Sequence, residues 1–325
     1  MTPLIGNEAP RAAFAAAIGG EAIHHAWLIS GPEGVGKGRF AREAAALLLA
    51  RALDPSVPPV GPLSPDHRVA RLLASGAHPD YRELVRLPKD AAKPDDGLKR
   101  SITIDQVRTL QPMFATKPAL SPRRVVLIDA IDDLERSGAN ALLKNLEEPP
   151  AGTIFLLVSH SPGRLLPTIR SRCRSLRFAA LADDQVARVL RAEAPDPAEA
   201  EVAALVRAGG GSPGRALAFA GLDMASIERD LAEIAATGDR DNAVRGRLAK
   251  ALSGKGATER FAAFVERVPA FIAEQARMAS GERLRTALDA HDAARAVGGI
   301  AVALTQDAGG TVFELGGIVA RIAPR

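Results

Sequence analysis

The sequence predicts an α/β domain with a mostly parallel sheet, followed by a helical region. Three short apolar runs are typical of buried strands: Ala26–Ser30, Val125–Asp129 and Ile154–Val158. Segments of helical composition alternate with these runs, as in a parallel sheet flanked by helices. After Phe178 no run is convincing as a strand, so the sheet is expected to end there.

The elements around the first strand follow from residue type. Ala12–Ile18 is alanine-rich, and Arg39–Leu53 is rich in Ala, Leu, Glu and Arg, which favour helix. Asp54–Pro62 contains four prolines, so regular structure is not expected there. Lys89–Lys99 is polar and contains a proline, and it is predicted to be a second loop.

Two helices are predicted on either side of the second strand. Ile102–Gln111 is the first, with Ser101 or Thr103 as its N-terminal cap. Ser137–Glu148 is the second. The prolines at positions 149 and 150 end it, because proline cannot continue a helix.

Helices are expected throughout the region after residue 178. Apolar side chains recur three and four positions apart in two stretches: Val186, Val189 and Leu190, and then Phe261, Phe264, Val265 and Val268. The glycine-rich turn at residues 209–214 and Gly221 mark a boundary within this helical part.

Composition limits the classes of function. The net charge of +4 and pI of about 9.5 permit contact with nucleic acid but do not demand it, and aromatics are only 4%. The lone Cys173 allows neither an internal disulfide nor a cysteine zinc cluster, and it suits the reducing cytoplasm. No apolar stretch of roughly 20 residues predicts a membrane span, and Met1–Arg11 has no signal-peptide pattern.

The segment Gly31–Lys37 fits the phosphate-loop pattern Gly-x-x-x-x-Gly-Lys. Gly31, Gly34 and Gly36 let the backbone wrap tightly, so that its N–H groups point at a phosphate, and Lys37 neutralises the outer phosphates. An incidental glycine turn is the alternative. The motif lies between a predicted strand and a predicted helix, as the mechanism requires, and this favours a phosphate loop (P-loop).

Two features expected of an active ATPase are missing. The Ser or Thr that holds magnesium after the lysine is replaced by Gly38, although a water can substitute and keep the loop compatible with ATP or ADP. Asp129 can hold the metal, or it is an ordinary strand-end acid. The glutamate expected next is Ala130, and Asp132 and Asp133 lie too far along to replace it. Because a general base contributes about 10² to 10⁴ in rate, the chain is predicted to hydrolyse ATP weakly or not at all.

The remaining candidate site residues are arginines. Five of them follow the third strand: Arg164, Arg170, Arg172, Arg174 and Arg177. One can project into a neighbouring subunit's phosphate site, where such a finger is worth about 10³ to 10⁵ in rate, and a solvated basic rim explains the others. Arg215, after a glycine-rich turn, either reaches back to a bound phosphate or is a surface charge. Cys173 is interpreted as a small buried residue rather than a nucleophile.

Three segments together carry a family resemblance. They are His-Ala-Trp-Leu-Ile-Ser-Gly-Pro at residues 25–32, Ala-Leu-Leu-Lys-Asn-Leu-Glu-Glu-Pro-Pro at residues 141–150 and Ser-Arg-Cys at residues 171–173. They resemble the bacterial clamp-loader ATPases of the AAA+ class, and most of all the delta-prime family of DNA polymerase III subunits. The resemblance covers roughly residues 10–220, and the last third is similar only in helical character and length.

The resemblance implies a stator in a heteropentameric ring that loads the sliding clamp onto primed DNA. Tau or gamma motor subunits bind ATP and delta opens the clamp. It also implies an AAA+ domain at 1–178, a helical lid at 179–220 and a helical collar at 221–325. Arg172 corresponds to the finger that acts in trans on a motor subunit, and Arg215 to the second sensor. Gly31, Gly36 and Lys37 are the P-loop positions, with Asp129 as the strand-end acid.

The chain departs from the family's usual pattern in one segment. A four-cysteine zinc module normally follows the first P-loop helix, but residues 51–81 contain no cysteine, and His67 and His78 alone cannot form a four-ligand site. No zinc and no obligatory cofactor are therefore expected. Two rival functions remain: an active tau- or gamma-like motor, which Gly38 and Ala130 oppose, and an autonomous nucleic-acid-binding module, which the mild charge opposes.

Overall fold

The computed structural model describes residues 3–20, 22–193, 198–254, 256–304 and 307–324. The chain divides into two compact units, an N-terminal unit, Met1–Leu181, and a C-terminal unit, Ala182–Arg325. The predicted end of the α/β domain at residue 178 lies close to this division. A further boundary near residue 220, between lid and collar, stays a prediction.

The N-terminal unit is built on a parallel sheet, which confirms the predicted fold class. Its strands and those of a separate hairpin are β1 (Ala26–Ser30), β2 (Tyr81–Leu84), β3 (Pro88–Asp90), β4 (Lys93–Leu98), β5 (Arg124–Asp129), β6 (Thr153–Ser159) and β7 (Arg174–Arg177). The five-stranded sheet has the order β2-β5-β6-β1-β7, and every neighbouring pair is parallel. The carboxyl ends of all five strands therefore meet at one edge, where the phosphate loop follows β1.

The three predicted strands are confirmed, and they are β1, β5 and β6 in the middle of the sheet. Every residue of β1 and β6 is buried, and all of β5 except its last residue. Central strands of a parallel sheet are covered on both faces, which explains their continuous apolar sequences. The edge strands β2 and β7 each have only one buried residue and contain arginine or glutamate, so the apolar pattern did not reveal them.

The prediction that Lys89–Lys99 forms a loop is wrong. This segment forms most of an antiparallel hairpin in which β3 pairs with β4. Gly97 adopts a positive φ of 96° within it, and Lys99 N–H donates to Leu87 O at 2.7 Å. A two-stranded hairpin with polar residues on both faces has no apolar alternation for a sequence pattern to detect.

Seven α-helices accompany the strands in the described part of the N-terminal unit: α1 (Glu8–Gly19), α2 (Lys37–Leu53), α3 (Arg68–Ala74), α4 (Ile104–Arg108), α5 (Gln111–Phe114), α6 (Arg136–Glu147) and α7 (Pro167–Arg170). The helix predicted from Ile102 is divided into α4 and α5. Thr103 is the N-terminal cap of α4, and it forms a reciprocal capping box with Gln106. Asp54–Pro62 contains neither helix nor strand, as predicted.

Four of the aromatic side chains form one cluster against the sheet. The Phe14 ring meets Trp27 edge-on at 5.0 Å and Phe40 at 5.5 Å, and Phe40 lies 5.1 Å from Phe178. These contacts join α1, β1 and α2 to the residue after β7. Aliphatic side chains such as Leu142 of α6 pack into a core that includes residues of β1, β5 and β6. Through Phe40, the aromatic cluster holds α2 behind the phosphate loop.

Helices are the only regular secondary structure in the described residues of the C-terminal unit. Its helices are α8 (Asp183–Glu193), α9 (Glu199–Gly209), α10 (Pro213–Ala218), α11 (Met224–Thr237), α12 (Ala243–Leu252), α13 (Thr258–Arg277), α14 (Gly281–Leu304) and α15 (Ala308–Ala320). Buried residues of α13 include Phe264, Val265 and Val268, three of the side chains whose spacing predicted a helix. Among the helices the structure describes, none is both long and apolar enough to cross a membrane.

Candidate functional site

The phosphate loop is tied to the two strands that flank β1. Gly31 N–H donates to Ser159 O of β6 at 3.2 Å, and Phe178 N–H donates to Ser30 O at 2.7 Å. Gly31 has a φ of 148°, and a Cβ at this position would overlap the carbonyl of Phe178. Glycine is therefore required at position 31 by close packing against the backbone as well as by φ.

The loop presents backbone donors at the N-terminus of α2. Gly34 and Gly36 have positive φ values of 75° and 92°. Among the described residues, none accepts a hydrogen bond from the N–H groups of residues 33–36. A cluster of unused N–H groups at a helix N-terminus fits an anionic acceptor such as a phosphate.

Lys37 is the buried cation of the loop. Its side chain is folded back, and Nζ donates to Gly31 O at 2.7 Å and also to Pro32 O. Burial lowers the pKa of Lys37 to about 8, against the opposing effect of Asp129 and the other nearby carboxylates. The ammonium group is thus bonded to the loop carbonyls and lies within electrostatic reach of Asp129, and its role toward a phosphate stays a prediction.

Asp129, at the end of β5, lies against the first turn of α2. A Cβ on Gly38 would overlap Asp129 Oδ2 and would lie 3.0 Å from Arg42 Nη1. The serine or threonine of an active phosphate loop therefore does not fit position 38 in this arrangement. The acid fills the place that a side chain at position 38 would occupy.

Arg42 connects Asp129 to the edge of the sheet. Its Nη2 lies 3.1 Å from Asp129 Oδ2, and its Nε donates to Glu83 Oε1 at 2.9 Å. Tyr81 Oη donates to Glu83 Oε2 at 2.9 Å. Burial acts to lower the pKa of Arg42, but Glu83 and Asp129 outweigh it and raise the pKa. Burial and the neighbouring Glu83 also raise the pKa of Tyr81, so its hydroxyl stays protonated at neutral pH and remains a donor to Glu83.

The acids that follow Asp129 are engaged elsewhere. Asp132 accepts hydrogen bonds from Ser159 Oγ at 3.0 Å, His160 N–H at 2.7 Å and Ser161 N–H at 3.0 Å, and thereby shapes the end of β6. Asp133 pairs with Arg86 at 3.0 Å. Each acid has a structural partner, which agrees with the interpretation that neither replaces the missing general base.

Arg172 lies between α7 and β7, at the surface of the N-terminal unit. Its Nη2 is 2.7 Å from Glu147 Oε1, and its Nη1 donates to Thr168 O at 2.9 Å. Glu147 is the last residue of α6, in the Leu-Glu-Glu-Pro-Pro segment, so two of the three segments that carry the family resemblance meet here. The Arg172 side chain is one-third exposed, and its contacts hold the guanidinium in one direction.

The other arginines of this segment have different surroundings. Arg174 lies over the Trp27 ring at 5.2 Å. Arg170 and Arg177 line a cleft of about 950 Å³ beside the carboxyl ends of β1 and β7. Burial raises the pKa of Cys173 to about 11, and this side chain packs against the core, so it is not an activated thiol.

Arg215 belongs to the C-terminal unit. It lies in α10, where its Nε is 2.7 Å from Glu266 Oε1 without the alignment of a hydrogen bond, and its guanidinium is 5.9 Å from the Phe219 ring. The side chain thus has an ion-pair partner within its own unit. A role for Arg215 toward a bound phosphate stays a prediction.

The histidines of the cysteine-free segment serve local structure. His67 Nδ1 accepts from Val69 N–H at 3.2 Å and caps α3, and His78 Nδ1 accepts from Asp80 N–H at 3.2 Å. In the part of the chain that the structure describes, no three His, Cys, Asp or Glu side chains are placed to hold a metal. The absence of zinc stays a prediction, and one bound zinc per chain in metal analysis would contradict it.

Sequence reasoning missed Arg42, Glu83 and Tyr81. Glu83 and Tyr81 lie on β2, an edge strand that the apolar pattern did not detect. A signal for Arg42 was available, because it follows Gly38 by four residues on the predicted helix α2. Residues four apart share one face of a helix, so Arg42 and the missing side chain of Gly38 lie on the same side.

Comparison with known proteins identifies the family. A family model described as "DNA polymerase III, delta subunit" matches residues 6–182, more than half of the chain. The chain belongs to this family. The N-terminal unit of this delta-family chain contains nearly the whole matched region. The predicted resemblance to the delta-prime family is confirmed.

Individual relatives agree with the family. The chain is 41% identical over 201 residues to DNA polymerase III subunit delta' of Pseudomonas aeruginosa, which covers 60% of this chain and 56% of that one. It is 35% identical to the Escherichia coli delta' subunit, over 60% and 54% of the two chains. It is 33% identical to the gamma/tau subunit of Mycobacterium tuberculosis, over 65% of this chain and 34% of that one. The chain thus matches only about half the length of the delta' relatives.

Proposed function

We propose that this chain is the delta-prime subunit of a DNA polymerase III clamp loader and helps load the sliding clamp onto primed DNA. The observation that carries the proposal is the family match over residues 6–182, together with 41% identity to a delta' subunit. Its partners would be tau or gamma motor subunits and delta in a heteropentamer in the cytoplasm. Residues 1–178 would form the AAA+ domain, residues 179–220 the lid and residues 221–325 the collar.

Within that assembly the chain would act as a stator whose own ATP turnover is weak or absent. Three features of the site support this. Gly38 supplies no hydroxyl for magnesium, Ala130 supplies no general base, and Asp132 is held by three hydrogen bonds at the end of β6. Gly31, Gly34, Gly36 and Lys37 would remain as a phosphate cradle, and the free N–H groups of residues 33–36 support this role.

Arg172 would be the catalytic residue that this chain supplies in trans. Its support is geometric: the guanidinium is at the surface, part of it is free of protein, and Glu147 and Thr168 fix its direction. An arginine placed in this way can stabilise the charge that develops on a phosphoryl group in a neighbouring motor subunit. Arg215 would be the second sensor, as the family pattern implies.

The test is the ATP turnover of the reconstituted assembly, stimulated by clamp and primed DNA. We expect Arg172→Ala to lower turnover while the assembly keeps its composition by size-exclusion chromatography. Arg164→Ala, which removes an exposed arginine of the same segment, is the matched control and should leave turnover unchanged. Failure to assemble with tau or gamma and delta would contradict the proposed subunit role.

A control with the isolated chain distinguishes the motor alternative. Similarity to a gamma/tau subunit over 65% of this chain gives that alternative its support. Turnover by the pure chain at ordinary ATPase rates would identify it as a motor and would contradict the interpretation of Gly38 and Ala130. No turnover by the chain, together with normal assembly, supports the stator.

A further inference from the structure

The strand-end acid of this site has a protein cation as its partner. In an active phosphate loop, a hydroxyl after the lysine and a carboxylate at the end of another strand of the sheet hold Mg²⁺ between them. Here the hydroxyl is absent at Gly38, and Arg42 Nη2 lies 3.1 Å from Asp129 Oδ2. The residues present therefore do not fit the magnesium ion that the fold family implies.

The guanidinium of Arg42 is itself held in place from its other side. Its Nε donates to Glu83 Oε1 at 2.9 Å, and Glu83 accepts from Tyr81 Oη at 2.9 Å. One arginine thus joins α2 to the ends of two adjacent strands, β2 and β5. Because arginine is charged at every physiological pH, the cation beside Asp129 is permanent.

The contact between Asp129 and Arg42 requires that position 38 has no side chain. Asp129 can take its present position because Gly38 has no side chain, and any Cβ there would overlap Asp129 Oδ2. In that position the carboxylate reaches Arg42, one helical turn further along α2. A serine at position 38 would restore a metal-binding hydroxyl and would also displace the acid from the arginine.

We propose that the Arg42 guanidinium takes the place of the divalent cation beside Asp129, so that this phosphate loop has no Mg²⁺ site. A divalent ion at Asp129 would lie next to a fixed positive charge and would lack the hydroxyl ligand. Lys37 and the loop N–H groups are then the groups that meet an anion at this site. The proposal concerns the chain by itself and does not depend on its role in a clamp loader.

The experiment uses Mn²⁺ as a spectroscopic probe for Mg²⁺. The EPR signal of free Mn²⁺ is measured with the full-length chain, with the chain plus ADP, and with ADP alone. We expect the wild-type chain to remove no Mn²⁺ beyond the amount that ADP removes. Binding of one Mn²⁺ per chain that is lost in Asp129→Asn would overturn the proposal.

Variants test whether Arg42 is the cause. Arg42→Gln frees Asp129, and Gly38→Ser combined with Arg42→Gln rebuilds the usual ligand pair. With ADP present, we expect the double variant to bind Mn²⁺ at least about tenfold more tightly than the wild type, a change of the size seen when groups around metal ligands are altered. If the double variant has a native circular dichroism spectrum and still binds no Mn²⁺, Arg42 is not what excludes the ion, and the proposal fails.

A matched control separates this contact from a change of net charge. Arg86→Gln removes an arginine that pairs with Asp133 at 3.0 Å in the same unit, and it changes the net charge by the same amount. We expect this variant to bind no more Mn²⁺ than the wild type. An equal gain in Arg86→Gln and Arg42→Gln would show that net charge is responsible and would overturn the proposal.

Discussion

The guanidinium of Arg172 forms an ion pair with the carboxylate of Glu147, with Nη2 2.7 Å from Oε1. The pair joins the end of α6 to the segment before β7, although the two residues are 25 positions apart in the chain. Both side chains are partly exposed, so the pair contributes at most about 1 kcal/mol to stability. The pair matters because it fixes the direction of the Arg172 guanidinium.

Glu147→Gln is expected to impair the proposed trans action of Arg172 without unfolding the chain. Loss of the ion pair frees the guanidinium to rotate, and a misdirected group lowers the rate of a transfer step more than it weakens substrate binding. We expect the kcat of the reconstituted assembly to fall by about two- to tenfold, with the KM for ATP unchanged. The Tm of the isolated chain should not change.

Glu148→Gln is the matched control for Glu147→Gln. Glu148 is the exposed neighbour in the same Leu-Glu-Glu-Pro-Pro segment, and no ion pair is found for it among the described residues. It should leave kcat unchanged. If both variants reduce kcat equally, the charge of the segment matters and the pair with Arg172 does not.

Lys37→Met is expected to stabilise the chain most at pH values below about 8. Burial lowers the pKa of Lys37 to about 8 in the folded state, below its ordinary value in the unfolded chain. Between these two pKa values the unfolded state binds more protons, so the stability of the wild type rises with pH. The advantage of Lys37→Met should therefore be constant below pH 8 and disappear as the pH rises toward about 10.4.

The measurement is the free energy of unfolding by urea from pH 6 to pH 10.5 for both chains. We expect the difference between them to shrink by roughly 1–3 kcal/mol across the upper part of that range. Taking the difference cancels the titration of the other lysines and of Tyr81. A difference that is independent of pH would show that Lys37 titrates normally.

Glu228→Ala is expected to destabilise the C-terminal unit strongly. Arg267 of α13 is completely buried and is bound by Glu228 of α11 and by Glu274, with Nη2 3.2 Å from Glu228 Oε2 and 2.7 Å from Glu274 Oε2. Removing one partner leaves a buried charge only half compensated, which costs about 3–5 kcal/mol. Thermal unfolding followed by circular dichroism would report a lower Tm.

Glu266→Ala, on the helix α13 that carries Arg267, provides the comparison. Glu266 is half exposed and pairs with Arg215, so its removal should cost less than about 1 kcal/mol. Equal losses of stability for Glu228→Ala and Glu266→Ala would contradict the buried ion pair. The same comparison would show whether the ion pair of Arg215 matters for folding.

Gly31→Ala is expected to destabilise the N-terminal unit by about 3 kcal/mol or more. The new methyl group would overlap the carbonyl of Phe178, and alanine does not tolerate a φ of 148°. Gly163→Ala is the control, since no atom lies within 4 Å of a Cβ placed there. A small effect of Gly31→Ala on the urea midpoint would mean that the loop can shift away from β7.

The amino-acid sequence by itself determined the central strands, the phosphate loop and the family. Residues of β1, β5 and β6 are apolar because both faces of a central parallel strand are covered, so the pattern is local and visible in the sequence. The glycines of the phosphate loop and Lys37 are recognisable because the loop is formed by residues that are consecutive in the sequence. The losses at Gly38 and Ala130 were equally visible, because each lies next to a motif residue.

The tertiary structure alone decided which charged side chains meet. The edge strands β2 and β7 and the hairpin of β3 and β4 have one or no buried face, so their polar sequences contain no apolar signal. Pairs such as Arg42 with Asp129, or Arg172 with Glu147, join residues far apart in sequence, and only the order of the strands brings them together. A charge has no periodicity that predicts its partner, and the electrostatics of this site therefore follow from the fold.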